Sequence, residues 1–376
     1  MIGTRPEAIK LAPVAHALAA RGLEPSLIMT GQHSKLYLHE HGLSGFVAES
    51  LHCAGVPDPH RHVRLVAEAL ERRLGTTDLL IVQGDTSSAL GGALASFAAG
   101  IPVAHVEAGL RSHDRALPWP EEEYRTTIDA RADLLFAPTD LAAANLRAEA
   151  VPGEILVTGN TGIDALLKAS ASLPAQRLHD GGLPRLLVTC HRRESWGYGM
   201  HRVAAALRIL AVEGVSRSDV VLPPNAHVAA TLHLLLGDLR EVNLHPPCSH
   251  PVLLAMMREC DLMLSDSGGV QEEAPALGVP LLVLREKTER PEALATANML
   301  LVGTDTDRIV REVRRLLADP VARAGMMRPA FPYGDGHAGE RIAAHIQQWL
   351  QSRVRSRAEG PPQPTALRPG KAAAER

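Results

Sequence analysis

Residues 264–275 are Leu-Ser-Asp-Ser-Gly-Gly-Val-Gln-Glu-Glu-Ala-Pro, and this stretch decides the fold. The apolar run at 261–264 predicts a buried parallel strand, and residues 270–277 have helical spacing. A strand, a Ser/Gly turn and a helix start favour an anion, best a phosphate, because the first N–H groups of a helix are unpaired and its dipole is positive there. An ordinary turn with a serine cap explains the same residues, so the turn predicts phosphate binding only together with the rest of the chain.

The composition is that of an ordinary globular protein, and 376 residues are enough for two domains. The net charge of -3 and an aromatic content of 3% argue against a nucleic-acid partner. We see no membrane span and no signal peptide, so we expect no membrane partner. The four cysteines lack Cys-x-x-Cys spacing, which argues against zinc and disulfides and fits a reducing cytoplasm.

Alternating strands and helices with short turns predict an α/β fold with parallel sheets. A stretch at 168–183 with Ser, Pro and Gly indicates a linker between two similar halves that face each other. Almost no strand precedes the first helix at 6–20, where an α/β fold would have about five residues, so we expect a truncated or misassigned start. The predicted strands are 27–30, 78–82, 103–106, 134–137, 155–158, 185–189, 220–222, 261–264 and 281–284.

Acidic side chains follow two predicted strands, at the edge where open α/β sheets bind ligands. Asp85 comes after one strand and Glu107 after the next, and three glutamates follow two prolines at 118–123. Each has a simpler explanation: Asp85 as a helix cap, Glu107 as a partner of Arg111, and the glutamates as a helix first turn. Together they predict a cleft whose carboxylates serve as acid and base.

Basic side chains predict the complementary half of the site. His191 lies at a strand end before two arginines, Arg5 and Lys10 lie on the first helix, and Arg290 lies in a Thr-Glu-Arg-Pro-Glu loop. They suit a phosphate leaving group, although a surface basic cluster and a salt-bridged loop are the alternatives. Neither the P-loop pattern nor a strand-linked Gly-x-Gly-x-x-Gly is present, so ATP and NAD have no motif support. The residues alone predict a two-domain enzyme acting on a nucleotide or a sugar phosphate.

A set of motifs, in one order over residues 3–350, resembles the non-hydrolysing UDP-N-acetylglucosamine 2-epimerases of bacteria. So many motifs in one order are specific for the family and less so for its substrate. The motifs are Gly3-Thr-Arg-Pro-Glu-Ala-Ile-Lys10, Gly84-Asp-Thr86, His105-Val-Glu-Ala-Gly-Leu-Arg111, Pro118-Trp-Pro-Glu-Glu122, Thr158-Gly-Asn-Thr161, His191-Arg-Arg-Glu-Ser195, Asp266-Ser-Gly-Gly-Val-Gln-Glu-Glu273, Thr288-Glu-Arg-Pro-Glu292 and Pro332-Tyr-Gly-Asp-Gly336.

The resemblance implies a GT-B fold, with two Rossmann-like domains and a deep cleft between them. It places the domains at 1–168 and 184–335, a helix that crosses back at 336–350, and a disordered tail at 351–376. It implies that the enzyme interconverts UDP-GlcNAc and UDP-ManNAc for cell-surface polysaccharide precursors, without NAD, metal or any other cofactor. UDP leaves to give a 2-acetamidoglucal intermediate and then adds again. The family also implies a cytoplasmic homodimer with a UDP-sugar as its ligand.

The resemblance also implies roles for particular residues. The catalytic carboxylates are Asp85, Glu107 and Glu121, and His191 acts beside the leaving group. The expected contacts with the UDP-sugar are Arg5, Lys10, Leu253, Ser267, Gly268, Gly269, Glu273 and Arg290.

This chain departs from the family pattern mainly on the nucleotide side. His250 and Leu253 replace a usual Tyr and Phe, Asn225 replaces a His, and Tyr124 replaces an Asn. A 2-epimerase of a modified UDP-sugar, such as a 2,3-diacetamido hexuronate, is therefore an alternative. A GT-B glycosyltransferase and a non-catalytic UDP-sugar-binding paralogue are two others.

Overall fold

The computed structural model describes residues 1–34, 36–171, 182–190 and 197–359. The strands are β1 (Leu27–Met29), β2 (Ala48–Ser50), β3 (Leu80–Gln83), β4 (Val103–Val106), β5 (Leu134–Ala137), β6 (Glu154–Val157), β7 (Arg185–Thr189), β8 (Arg217–Val221), β9 (Val242–His245), β10 (Leu262–Ser265), β11 (Leu281–Val283) and β12 (Met299–Leu301).

The α-helices alternate with these strands, and a 3₁₀ helix lies at Leu38–His41. They are α1 (Arg5–Ala20), α2 (Pro59–Glu71), α3 (Ser87–Ala99), α4 (Glu121–Asp129), α5 (Asp140–Ala148), α6 (Thr161–Ser170), α7 (Tyr198–Val212), α8 (Ala226–Leu236), α9 (His250–Glu259), α10 (Gly268–Leu277), α11 (Glu292–Ala295), α12 (Thr306–Ala318), α13 (Pro320–Met326) and α14 (Ala338–Glu359).

Two parallel sheets carry the fold, as the alternating pattern predicts. Within the described residues the first half has the order β3-β4-β5-β6, and the second has β12-β11-β10-β7-β8-β9. Every pair in both sheets is parallel. The carboxyl ends of neighbouring strands therefore meet at one edge of each sheet, where ligands bind in such folds.

The residues before α1 lie where an opening strand would lie. Ile2 bridges Met29 of β1 in parallel, and the amino group of Met1 donates to the carbonyl of Ile81 in β3, at 2.7 Å. The segment 1–3 therefore runs between the β1–β2 pair and β3, and within the described residues it makes one ladder bridge, to Met29.

Each sheet is buried on both faces, as parallel sheets must be. In β4, Val103 packs into one apolar cluster with α2 and α3, and Ala104 packs into a second cluster with α1. In β7, Leu186 and Leu187 likewise point into two different clusters. This alternation follows from the two-residue period of a strand.

The last helix returns to the first half of the chain. Ile342, Ala343 and Ile346 of α14 join Leu11 and Val14 of α1 in one buried cluster. The helix continues to Glu359, past residue 351, at which the sequence predicted that a disordered tail would begin. Of the predicted linker at 168–183, residues 172–181 lie outside the described residues. Within the described part of the chain, every helix is too short or too polar to span a bilayer.

Candidate active site in the cleft

Asp85 and Glu107 follow two adjacent strands and leave the sheet at the same edge. Gln83 at the end of β3 lies opposite Val106 at the end of β4. The turn after each strand is left-handed, with φ +67° at Gly84 and +69° at Glu107. For a residue with a side chain such a conformation costs about 1–3 kcal/mol and is typically kept at functional sites. The two carboxylates therefore lie at the same edge of the sheet, where the sequence predicted them.

The Glu107 carboxylate lies between two cations from different elements. Its Oε2 is 2.7 Å from Lys10 Nζ, and its Oε1 is 3.0 Å from a guanidinium nitrogen of Arg290. The same two cations also hold Glu272 of α10, at 3.0 Å from Lys10 and 2.5 Å from Arg290. Four buried charges from both halves of the chain thus form one cluster across the cleft, which we call the cross-cleft cluster. Gln83 also donates to Glu107.

Burial and neighbouring charges set the protonation of the cross-cleft cluster. Burial raises the pKa of Glu107, and Glu272 raises it further, while Lys10 and Arg290 oppose the shift. Burial also acts to raise the pKa of Glu272, but Lys10 and Arg290 together outweigh it and lower that pKa. Burial alone would lower the pKa of Lys10, yet Glu107 and Glu272 raise it. A carboxyl with a raised pKa beside a carboxylate with a lowered one is an arrangement that can both donate and accept a proton.

The Ser/Gly turn lies directly against this cluster. Ser267 is the N-cap residue of α10, and its side chain makes no capping hydrogen bond. A Cβ atom on Gly268 would lie 2.8 Å from a guanidinium nitrogen of Arg290, whereas one on Gly269 would have its nearest neighbour at 4.0 Å. The first glycine is therefore required by packing against Arg290, and the second leaves open space at the helix start. Strand β10 ends against β7, where the Ser265 and Thr189 hydroxyls are 2.6 Å apart.

Asp85 is paired with a cation that the sequence analysis did not single out. Arg125 of α4 donates to Asp85 with one terminal nitrogen and to Glu122 with the other, the latter at 3.1 Å. Arg125 is buried, and Asp85, Glu289 and Glu122 together raise its pKa against the opposing effect of burial. Glu121 begins the same helix four residues earlier, so its side chain shares the face of Arg125. The three predicted glutamates do form the first turn of α4.

Two of the simpler explanations are wrong. The cap of α3 is Thr86, whose hydroxyl accepts from Ala89 N at 2.9 Å, so Asp85 does not have that task. Arg111 does not pair with Glu107. The guanidinium of Arg111 instead contacts Asp129 at 2.8 Å and Glu149 at 2.6 Å. For Arg290 the simpler explanation, a salt-bridged loop, is correct. Its guanidinium contacts carboxylates of Glu107, Glu272 and Glu289 and also lies beside the turn at Gly268.

Buried residues that the sequence analysis left without a role support the loops of Asp85 and Glu107. His105 of β4 places Nε2 2.9 Å from the carbonyl of Gly84 and Nδ1 2.6 Å from Asp129. Glu7 of α1 accepts from the Thr86 hydroxyl at 2.7 Å and so ties α1 to the loop that carries Asp85. The sequence did contain one signal of such a supporting role, because His105 is a polar residue within the otherwise apolar strand β4.

The remaining predicted residues that the structure describes lie in the second half of the chain or against it. Glu273 of α10 accepts from His250 Nε2 at 2.7 Å. Arg5 is exposed and donates to the carbonyl of Cys248 at 2.9 Å, which joins α1 to the segment before α9. Leu253 of α9 is partly buried against the apolar cluster of the second half. Asn225 caps α8 through His227 N and Val228 N. His191, predicted to act beside the leaving group, lies outside the described residues.

Comparisons with known proteins show what this chain is similar to. A family model described as UDP-N-acetylglucosamine 2-epimerase matches residues 16–347. The UDP-N-acetylglucosamine 2-epimerase of Salmonella typhimurium is 38% identical over an alignment of 373 positions, which covers 94% of this chain and 98% of that protein. The enzyme of that name from Yersinia pestis is 40% identical over an alignment of 364 positions, which covers 91% of this chain and 96% of that protein.

Solved structures of similar proteins share the architecture. The UDP-GlcNAc 2-epimerase of Neisseria meningitidis bound to UDP-GlcNAc is 33% identical, with a TM-score of 0.86 over 92% of this chain and 98% of that one. The Methanocaldococcus jannaschii UDP-GlcNAc 2-epimerase in complex with UDP-GlcNAc and UDP is 30% identical, with a TM-score of 0.80 over 92% and 98%. The predicted GT-B fold is confirmed.

Proposed function

The chain belongs to the UDP-N-acetylglucosamine 2-epimerase family, and we propose that it interconverts UDP-GlcNAc and UDP-ManNAc. One observation carries the assignment beyond family membership. The buried Glu107 is held between Lys10 and Arg290, and Arg290 lies against the Gly268 turn at the start of α10. An acid/base group and an anion site are thus adjacent, as the chemistry requires.

The reaction inverts one carbon by elimination and addition. A base removes the proton from carbon 2 while the bond between carbon 1 and the diphosphate oxygen breaks, and its electron pair leaves with UDP. The remaining sugar is 2-acetamidoglucal. UDP then adds again at carbon 1, and carbon 2 receives a proton on its other face. The overall change is one inverted centre with no net redox step.

The carboxylates of the first half supply the proton transfers. Carbon 2 needs an acid/base group on each face, and such groups typically contribute 10²- to 10⁴-fold. We assign this work to Asp85, Glu107 and Glu121. Asp85 is held by Arg125, and Glu107 has a pKa raised by burial, so their environments differ in the way that acid and base roles require.

The departing diphosphate needs positive charge in place before it leaves. We assign Arg5, Lys10 and Arg290 to it, together with His191 and the N–H groups at the turn of Ser267, Gly268 and Gly269. Contacts across the cleft support this assignment for Lys10 and Arg290, since Lys10 of the first half and Arg290 of the second both contact Glu272. A closed cleft also excludes water, which keeps the glucal from being lost.

We further propose domains at 1–168 and 184–335, a cytoplasmic location and a homodimer. The separate sheets and cores of the two halves support the division. Family membership supports the dimer. The four cysteines, all within the described residues, form no disulfide, and Cys53, Cys190 and Cys260 are buried, which suits a reducing compartment.

Proton NMR in deuterated water tests the function. We expect UDP-GlcNAc to give UDP-ManNAc, with deuterium appearing at carbon 2 in both sugars. Free ManNAc with UDP would indicate a hydrolysing enzyme, and unchanged UDP-GlcNAc with measurable UDP binding would indicate another UDP-sugar or a binding protein. Asp85→Asn should abolish the conversion and leave UDP binding largely intact. Conversion at the wild-type rate in that variant would refute our assignment of Asp85.

A further inference from the structure

Glu272 is the member of the cross-cleft cluster to which the proposed reaction gives no task. Its side chain is only 2% exposed, with Oε2 at 3.0 Å from Lys10 Nζ and Oε1 at 2.5 Å from the Arg290 guanidinium. Glu107 contacts the same two cations. Burying a charge is costly unless it is well paired, so the effect of Glu272 on its neighbours is where a function for it lies.

Helix α6 holds Glu272 from a third side. Gly162 lies in the first turn of this helix, and a Cβ atom on it would be 3.6 Å from Glu272 Oε2 and 3.3 Å from Lys10 Cε. The start of α6 thus packs closely against both charged side chains, and a helix start favours a negative charge. Burial acts to raise the pKa of Glu272, but Lys10 and Arg290 together outweigh it. Glu272 is therefore placed to remain an anion.

Glu107 needs the opposite property, because an acid/base group has to change its charge. A carboxylate that faced Lys10 and Arg290 alone would be held in its ionised form by two positive charges. Glu272 contacts both cations, and its own charge, together with burial, raises the pKa of Glu107 against them. The charged and titratable groups around this pair also include Glu289, which contacts Arg290, and Tyr333, whose hydroxyl donates to the carbonyl of Arg290 at 2.9 Å.

We propose that Glu272 is a positioning residue that frees Glu107 for proton transfer. It neutralises one of the two positive charges beside Glu107, and it keeps Lys10 and Arg290 in place when Glu107 turns towards the sugar and the diphosphate arrives. Glu272 itself exchanges no proton with the substrate. This proposal rests on the function proposed above, in which Glu107 moves a proton and the two cations bind a diphosphate.

Two variants separate the charge of Glu272 from its packing. Glu272→Gln keeps the size of the side chain and loses the charge. Glu272→Asp keeps the charge and is shorter by one methylene group, so it is the matched control. Thermal unfolding of each variant establishes that it is folded.

Three measurements follow the consequences. Carbon NMR of protein labelled at the glutamate carboxyls gives the titration of Glu107, whose signal is the one absent from Glu107→Gln. Calorimetry at pH 8 gives the affinity for UDP. The rate of epimerisation of UDP-GlcNAc, measured against pH, gives kcat and its pH profile.

In Glu272→Gln we expect Glu107 to titrate about 1 pH unit or more below its wild-type value, because it then faces both cations alone. The limb of the kcat profile that Glu107 sets should move to lower pH with it, and kcat at pH 7 should fall about tenfold or more. UDP should bind about fivefold more tightly, since the cations are less neutralised. Glu272→Asp should keep the titration of Glu107 and the UDP affinity close to those of the wild type.

A purely structural role of Glu272 would weaken UDP binding together with kcat and leave the titration of Glu107 unchanged, and either result in Glu272→Gln would overturn the proposal. If that variant does not fold, the wild type decides: Glu107 must titrate above the ordinary value of 4.5, and titration below it would overturn the proposal. The NMR and calorimetric measurements need no turnover. A wild type that does not epimerise UDP-GlcNAc would therefore refute the proposed function, while these two measurements would still decide the effect of Glu272 on Glu107.

Discussion

Adding one methyl group to each of two neighbouring glycines should have opposite effects on stability. A Cβ atom on Gly268 would lie 2.8 Å from a nitrogen and 2.9 Å from the central carbon of the Arg290 guanidinium. Ordinary contacts of this kind are about 3.5–4.0 Å, so the guanidinium would have to move by roughly 1 Å. It is held by Glu107, Glu272 and Glu289, and such overpacking costs about 1–3 kcal/mol.

Gly269→Ala is the matched control. The added methyl group would meet nothing closer than 4.0 Å. Both glycines lie in the first turn of α10, so the gain in helix propensity of about 0.5–1 kcal/mol applies to both variants and cancels in their difference. Gly269→Ala should therefore be at least as stable as the wild type, and Gly268→Ala should be about 1–3 kcal/mol less stable than Gly269→Ala.

Urea unfolding of the ligand-free proteins measures this difference, and calorimetry with UDP adds a second readout. If the open side of Gly269 is where the diphosphate approaches, Gly269→Ala should bind UDP more weakly despite its unchanged stability. Equal stability of the two variants would refute the reasoning, because it would mean that the three carboxylates do not fix Arg290. Unchanged UDP affinity in Gly269→Ala would show that the diphosphate does not bind at this turn.

Three further predictions concern the buried charges. Lys10→Met leaves Glu107 short of a cation and should lower the free energy of unfolding by about 3–5 kcal/mol, measured by urea titration; a loss below 1 kcal/mol would contradict the burial of this charge. Arg125→Lys cannot span its two carboxylates and should lower kcat about tenfold or more through Asp85, with KM nearly unchanged; a change confined to KM would contradict this. Burial acts to raise the pKa of Asp129, but His105 and Arg111 outweigh it and lower that pKa below its ordinary value of 3.8. The stabilisation that ionised Asp129 provides is therefore present at neutral pH and is lost as the pH falls below that value. Asp129→Asn should destabilise the protein at pH 7 and make its further loss of stability near pH 3 smaller. Measurement of the free energy of unfolding against pH would detect both effects.

The strand ends could be predicted from the sequence, and with them the position of two site residues. β4 and β5 have the predicted bounds, because four apolar residues bounded by turns leave little choice. Glu107 follows β4 directly, and Asp85 follows the neighbouring strand β3 after one residue; the carboxyl ends of such parallel neighbours share one edge. Local periodicity was sufficient for this part of the site.

The partners of these carboxylates could not be predicted. The sequence offered Arg111, four residues after Glu107, whereas the actual partners are Lys10 and Arg290, from the first helix and from the other half of the chain. Such pairs depend on how the halves face each other, and no local pattern reports this.

Three short strands were also missed. β9 and β12 form the two edges of the six-stranded sheet in the described residues, and β2 pairs with β1 alone. Their residues are only partly buried, with Met299 the one buried position in β12 and Val242 the one in β9. β2 and β9 lack the continuous apolar run of a central strand, so their patterns are weak, and β12 is apolar but only three residues long.

If the diphosphate binds where we propose, the cross-cleft cluster selects ligands by exchange of charge. Lys10 and Arg290 already have carboxylate partners, so an incoming molecule gains from them only the difference between its own attraction and the one it displaces. A free hexose carries no charge with which to compete, and a monovalent anion can replace only one of the two carboxylates. A diphosphate can satisfy both cations at once while Glu107 is released towards the sugar. Neutral sugars at cellular concentrations would therefore leave the cleft in its resting arrangement, and the enzyme would commit its acid/base group only to sugars that arrive with their leaving group attached.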